Sequence, residues 1–281
     1  MKDKTSLVIF TCEKREHLLR KTFDSFSQFN DGVFKQIILS IDGPLSTGII
    51  DYIAPDIIIQ SHKRQGYVNN IINALKVIDT EFLFILEDDW SFHRNLNLPE
   101  FYNKMEANPE WTEVIFSKTG PLTDEEKFRH LSNDLYEYKY GFSTNPSLIR
   151  TSFIKEGFDC LKNSKKGDTL GEDGFENFLS RYAIDKGLYA AVHDPVAGTV
   201  IAHEGYLEST PRNWHMTNSI EKRTQEHLLT IPAPSFFRRL RMVIKLLISF
   251  IKLSIVQFSN NKVYEFCFRI VGRTNTEINE K

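Results

Sequence analysis

Cysteine is scarce and scattered: Cys12, Cys160 and Cys267 are the only three in 281 residues. An odd number without metal-type spacing excludes a disulfide framework and a cysteine metal centre. A reducing compartment is the simplest expectation. The apolar run near the N-terminus, within "MKDKTSLVIFTCEKR", is four residues long. That is too short for a secretory signal, so none is expected. No internal repeat or low-complexity tract is present. Acidic residues are missing from "PSFFRRLRMVIKLLISFIKLSIVQF", residues 234 to 258. Lys245 and Lys252 interrupt its apolar run, so it offers no uncharged stretch long enough to span a bilayer.

What is present is unevenly charged. The net charge is −2, yet residues 232–274 carry eight Lys/Arg against one acid, leaving residues 1–231 at −8. An acidic body with a basic tail predicts two jobs and gives no surface for nucleic acid. At 41% hydrophobic and 26% charged, the chain has the composition of a folded protein with a substantial core. Pro232 and Pro234 mark a boundary. The expected organisation is a globular domain at 1–231 and a basic amphipathic segment at 232–281.

Hydrophobic periodicity predicts an α/β domain. "SLVIFTC" (6–12), "QIILSIDG" (36–43), "DIIIQS" (56–61) and "FLFIL" (82–86) read as strands, and "EVIFSK" (113–118) as a fifth. Helical spacing follows the first strand, with Leu18, Leu19, Phe23 and Phe26 on one face, and recurs in "GYVNNIINALKVI" and "GEDGFENFLSRYAIDKG". The strands are continuous apolar runs without alternation. That predicts burial on both faces and a mostly parallel central sheet flanked by helices. "YAAVHDPVAGTVIAHEG" supplies one or two further short strands. Residues 125–154 have no clear period and receive no assignment.

In open sheets of this type, ligands bind at the carboxyl ends of the strands. Three ends are polar here: Thr11-Cys12-Glu13, Asp42-Gly43 and Glu87-Asp88-Asp89. The last follows five apolar residues in "EFLFILEDDW". Three adjacent carboxylates repel unless a cation offsets them, and carboxylate oxygens suit Mg²⁺ or Mn²⁺. Strand alternation predicts Glu87 and Asp89 leaning one way and Asp88 the other. "GEDGFENF" offers Glu172 and Asp173 at a helix start, as candidate bases or as helix-capping acids, since Asp173 and Glu176 also match a capping box. His203, in "VIAHEG", is a candidate ligand or a structural imidazole. Trp90 and Trp214 are candidates for stacking on a bound ligand, or for ordinary packing.

"FLFILEDDW" resembles the Asp-x-Asp region of nucleotide-sugar glycosyltransferases of the GT-A fold. "VIFTCEKREHLLRKTFDSF" is similar to the first strand and helix of family 2 transferases. The resemblance covers residues 5 to 90, and 168 to 206 by shorter motifs. It implies Thr11, Glu13 and Arg15 in the nucleotide pocket and Asp42 at the base or ribose. It also implies Arg64, Gly66 and Asn70 touching the nucleotide from "HKRQGYVNN". Asp89 would bind Mn²⁺ or Mg²⁺, with Glu87 and Asp88 at the ribose or metal-bound water. Asp173 would be the catalytic base with Glu172 beside it, and His203 a second metal ligand. One departure is "SIDG", where the family more usually has Asp-Asp-Gly-Ser.

The implied activity is metal-dependent, inverting transfer of a hexosyl or N-acetylhexosaminyl group from a nucleotide-sugar donor, with UDP favoured by family frequency. The acceptor would be a glycan or lipid-linked hydroxyl. Residues 235–258 are expected to lie on an anionic membrane surface, which places the protein peripherally on the cytoplasmic face of a bacterial inner membrane. A core helix or dimer contact is the plainer reading of that segment. Two rival functions remain: a sugar nucleotidyltransferase of the same fold, and a non-catalytic glycan-assembly protein. The first lacks its usual support, because "IFTCEKREH" has no glycine. The second leaves the clustered acids without a purpose.

Overall fold

The computed structural model describes residues 2–30, 33–162 and 172–204, plus isolated helical positions between 240 and 251. Contacts divide the chain into two compact units, Met1–Ser219 and Ile220–Lys281. The expected boundary between residues 231 and 232 lies outside the described residues.

The first unit alternates strands and helices. They are β1 (Thr5–Cys12), α1 (Glu16–Asn30), β2 (Gln36–Asp42), α2 (Thr47–Ile53), β3 (Ile57–Gln60), α3 (Tyr67–Leu75), β4 (Phe82–Glu87), β5 (Trp90–Phe92), α4 (Leu98–Ala107) and β6 (Trp111–Ile115). Then come β7 (His130–Ser132), β8 (Leu135–Glu137), β9 (Ser147–Arg150), α5 (Thr151–Lys162), α6 (Glu172–Asp185), β10 (Tyr189–His193) and β11 (Ile201–His203).

One sheet runs β3-β2-β1-β4-β9-β6-β10-β8-β7. The first four strands are mutually parallel. β9 runs against both neighbours, and β8 runs against β10. The remaining strands share one direction, so the expected mostly parallel sheet is found. β5 and β11 form a separate antiparallel pair.

The continuous apolar strands are explained by two cores, one on each face. Leu7 and Ile9 of β1, with Phe82, Phe84 and Leu86 of β4, face the core shared with α1, α2 and α4. Val8, Phe10, Leu83 and Ile85 point the other way, toward α3, α5 and α6. Successive strand residues alternate direction, and here both directions are dry. The expectation of burial on both faces fails only at β3. That strand lies at the sheet edge, where Ile58 is half exposed.

Three helices escaped the sequence reading, α2, α4 and α5, the last beginning inside the unassigned stretch. α2 has only seven residues, and α4 begins at Leu98-Pro99, where a proline in the first turn costs no hydrogen bond. The unassigned stretch 125–154 contains β7, β8 and β9, each three or four residues long and too short to show a period. α6 is closed as expected by Gly187, whose φ of +69° is left-handed.

Candidate active site

The carboxyl ends of β1, β2 and β4 stand side by side, because Cys12 is in register with Asp42 and Phe10 with Glu87. The polar strand ends therefore gather on one rim. β4 ends at Glu87, and Asp88 and Asp89 occupy the following turn. The turn breaks the two-residue period, so the expected alternation does not hold. Asp88 and Asp89 instead face the same cation. Arg15 Nη2 lies 2.9 Å from Asp88 Oδ1 and 2.7 Å from Asp89 Oδ2. Thr11 Oγ1 donates to Asp88 Oδ2 at 2.6 Å.

Glu87 is turned away from this pair. Its Oε2 accepts from Trp90 Nε1 at 3.3 Å, and the Tyr67 hydroxyl lies beside it. Burial, together with the charge of Asp89, raises the Glu87 pKa well above that of an ordinary carboxylate. Burial raises Asp88 to about 7, against the opposing pull of Arg15. Asp89 goes down despite its burial, because His203 and Arg15 both favour its anion. Arg15 is buried too, yet Asp88 and Asp89 keep its pKa above the usual guanidinium value.

His203 arrives by strand pairing. β11 lies antiparallel to β5, with His203 opposite Trp90. Its Nε2 lies 3.4 Å from Asp89 Oδ2, and its ring packs 4.6 Å from that of Trp90. Glu204 pins the strand end. Its amide donates to Asp89 O at 2.7 Å, and its carboxylate accepts from Ser91 at 2.7 Å and Lys21 at 2.6 Å. Sequence reading missed this anchor, since Glu204 is an ordinary acid until the fold places it beside Asp89. Trp90 itself is buried at 5% exposure, so here it packs. Trp214 lies outside the described residues.

The second strand end is organised differently. Asp42 Oδ1 accepts from the Gln65 amide at 2.6 Å and Ser61 Oγ at 3.2 Å, and Oδ2 accepts from the Gly66 amide at 2.9 Å. The Asp42 carboxylate thus holds the loop 61–66 in place. Gly66 opens α3 at φ +92°, and Gly43 has φ +108° with Arg64 and Glu13 flanking it. Asn70 is buried and exchanges hydrogen bonds with Ser40. A cavity of about 200 Å³ opens here, lined by Asp42, Gln60, Ser61, His62, Gln65 and Asn70.

Glu172 and Asp173 fall in the first turn of α6, and their side chains lie outside the described residues. The capping-box reading of Asp173 lies outside the described residues, but Glu176 itself is described. Its Oε1 accepts from the Thr144 amide at 2.7 Å and from Thr144 Oγ1 at 2.9 Å, tying α6 to the loop before β9.

Asp89 Oδ1 is buried, and among the described residues it has no hydrogen-bond partner. A buried, unsatisfied carboxylate oxygen is costly unless something else meets it. No cluster of three or more His, Cys, Asp or Glu suited to a metal occurs among the described residues. Asp89 and His203 therefore fit an ion that takes its other ligands from water and a phosphorylated substrate, as Mg²⁺ commonly does.

The doubly covered sheet and acidic rim define a GT-A architecture. The chain belongs to glycosyl transferase family 2, whose sequence profile matches residues 6–159. Among solved structures it resembles S. aureus TarS, with a TM-score of 0.51 and 11% identity over 78% of this chain and 40% of that one. It also resembles GalNAc-T7 with UDP, GalNAc and Mn²⁺, at a TM-score of 0.52 and 16% identity over 71% of this chain and 43% of that one. TarS 1-349 in complex with UDP gives 0.50 and 12%, covering 67% of that chain. These likenesses are of fold, and the chain spans less than half the length of TarS and GalNAc-T7. No curated protein matches the sequence.

Proposed function

We propose that the protein is a metal-dependent, inverting glycosyltransferase. It moves a hexosyl or N-acetylhexosaminyl group from a UDP-sugar to a hydroxyl of a membrane-linked glycan or lipid. The observation that carries this reading is the buried, unpartnered Asp89 Oδ1 beside His203 at the mouth of β4. Asp89 and His203 would hold Mn²⁺ or Mg²⁺, which when bound offsets the charge of the departing diphosphate. The family membership and the UDP and Mn²⁺ named with two structural neighbours support that choice.

The chain's own residues supply the rest. Loop 61–66, held by Asp42, lines the cavity that receives the base, with Arg64 and Glu13 at its edge. Thr11 fixes Asp88 and so sets the turn that carries Asp89. Asp173, at the start of α6, takes the proton from the acceptor hydroxyl as its oxygen attacks the anomeric carbon. Attack opposite the leaving diphosphate inverts that carbon. The Thr144–Glu176 link ties the start of α6 to the loop before β9, and Glu172 stands beside the base in the sequence. The basic composition of residues 235–258 supports an acceptor presented at a membrane, with the enzyme peripheral on its cytoplasmic face.

The test is a panel of nucleotide sugars incubated with the protein and Mn²⁺. Release of UDP with sugar transfer supports the reading, with Asp89→Ala inactive. Release of pyrophosphate from a nucleoside triphosphate would replace it with nucleotidyl transfer. Neither product, with no thermal stabilisation by any donor, would sink catalysis altogether.

A further inference from the structure

Six apolar side chains of the second compact unit stand in water. Leu240, Val243, Ile244, Leu247, Ile248 and Ile251 are each 46–57% exposed, and all six positions are helical. Their spacing of three and four residues places them on one face of a helix. A contiguous exposed apolar face of this kind marks an interaction surface.

Charge identifies the partner. No acid occurs between residues 227 and 264, while Arg238, Arg239, Arg241, Lys245 and Lys252 fall within or beside the stripe's span. In the sequence, Arg241, Lys245 and Lys252 each directly follow a stripe residue. An apolar face carried on a cation-rich, acid-free segment matches an anionic bilayer, with hydrocarbon below the headgroups and phosphate at their level. No helix among the described residues is long and apolar enough to cross a membrane.

We propose that this face docks on an anionic bilayer and lies in the plane of its interface. Docking rests on the glycosyltransferase reading for its purpose alone, which is to bring the site to an acceptor carried by lipid. Binding itself needs no turnover.

The test is co-sedimentation of the full chain with vesicles of phosphatidylcholine alone, or with 30% phosphatidylglycerol (roughly the anionic content that makes charge attraction measurable). The full chain should pellet with the anionic vesicles and stay in solution with the neutral ones. Ile244→Glu/Leu247→Glu should weaken binding by about tenfold or more. Arg241→Gln/Lys245→Gln should weaken it by about fivefold per charge removed. Circular dichroism and the unfolding midpoint check that each variant is folded. Failure of the wild type to bind anionic vesicles would overturn the proposal, as would undiminished binding by the glutamate variant. So would a concentration-dependent dimer, seen in sedimentation velocity, that the glutamate variant abolishes. UDP binding measured in parallel separates the two readings. If vesicle binding fails while UDP binding persists, docking falls and the enzyme reading stands.

Discussion

Nη2 of Arg15 sits 2.7 Å from Oδ2 of Asp89, across 74 residues of sequence. The same nitrogen reaches Asp88, so one guanidinium offsets two consecutive carboxylates. Three adjacent acids at the end of an apolar strand need cations, and the fold supplies one of them from the loop after β1. Among the described residues, Asp89 Oδ1 still lacks a hydrogen-bond partner. The positive charge that they supply therefore only partly satisfies the cluster.

Removing Arg15 should expose that dependence. Arg15→Gln leaves Asp88 and Asp89 buried with one cation fewer, and breaking a mostly buried pair costs about 3 kcal/mol. The variant should unfold at lower denaturant than the wild type, and Mn²⁺ should restore part of the loss. Equal unfolding midpoints for variant and wild type would show that the pair contributes no stability.

Asp173→Asn should abolish sugar transfer while UDP affinity, measured by calorimetry with Mn²⁺, stays within about twofold. The amide keeps the shape of the carboxylate but cannot take a proton at neutral pH. Transfer at the wild-type rate would remove Asp173 from the mechanism, and loss of UDP binding would move it to the donor side.

The parts that could be read in the sequence are those with a period or an unusual charge. β1, β2 and β4 were visible because both their faces are apolar, and the acids after β4 because charge follows such a run. Thr11 and the acids after β4 share the rim, as their places at strand ends implied, whereas the pairing of Arg15 with Asp88 and Asp89 had no sequence signal. The Asp42 carboxylate holding loop 61–66 was not visible, since its partners are backbone amides more than twenty residues away. Nor was the pairing that sets His203 against Asp89, because β5 and β11 have three residues each. Glu113 is the first residue of the expected fifth strand, 113–118. It lies in the middle of β6, and "WTEVIF" gave the hint as a single acid inside an apolar run.

Gly141→Ala should loosen α6. Gly141 has φ +81°, and an added Cβ would stand 2.4 Å from Ser180 Cβ and 3.1 Å from Ser180 Cα. Ser180 Oγ is also the partner of the Phe142 amide at 2.9 Å, so the loop and helix would part where they are bonded. Strain at positive φ plus the clash should cost at least about 2 kcal/mol. Denaturant unfolding measures it, and a loss below about 0.5 kcal/mol would mean that the loop shifts freely.

Glu113 predicts a pH dependence of stability unconnected with turnover. It is fully buried, with Oε1 accepting from the Ser143 amide at 2.9 Å and Oε2 without a hydrogen bond. Burial dominates and raises its pKa well above 4.5, against the lowering effect of the Ser143 amide and then of Ser147. The folded protein therefore keeps a proton that the unfolded chain releases above about pH 4.5. Between that pH and the raised folded value, the folded state binds more protons, so stability falls as pH rises. The slope approaches about 1.4 kcal/mol per pH unit for this one group. Glu113→Gln keeps an acceptor for Ser143 and has no proton to lose. It should flatten the fall between pH 5 and 8 (roughly the range above an unshifted carboxylate's pKa) and be the more stable form at the upper end. Urea unfolding of both proteins across that range measures the difference. Parallel stability profiles would mean that Glu113 ionises in the folded state as readily as in the unfolded one.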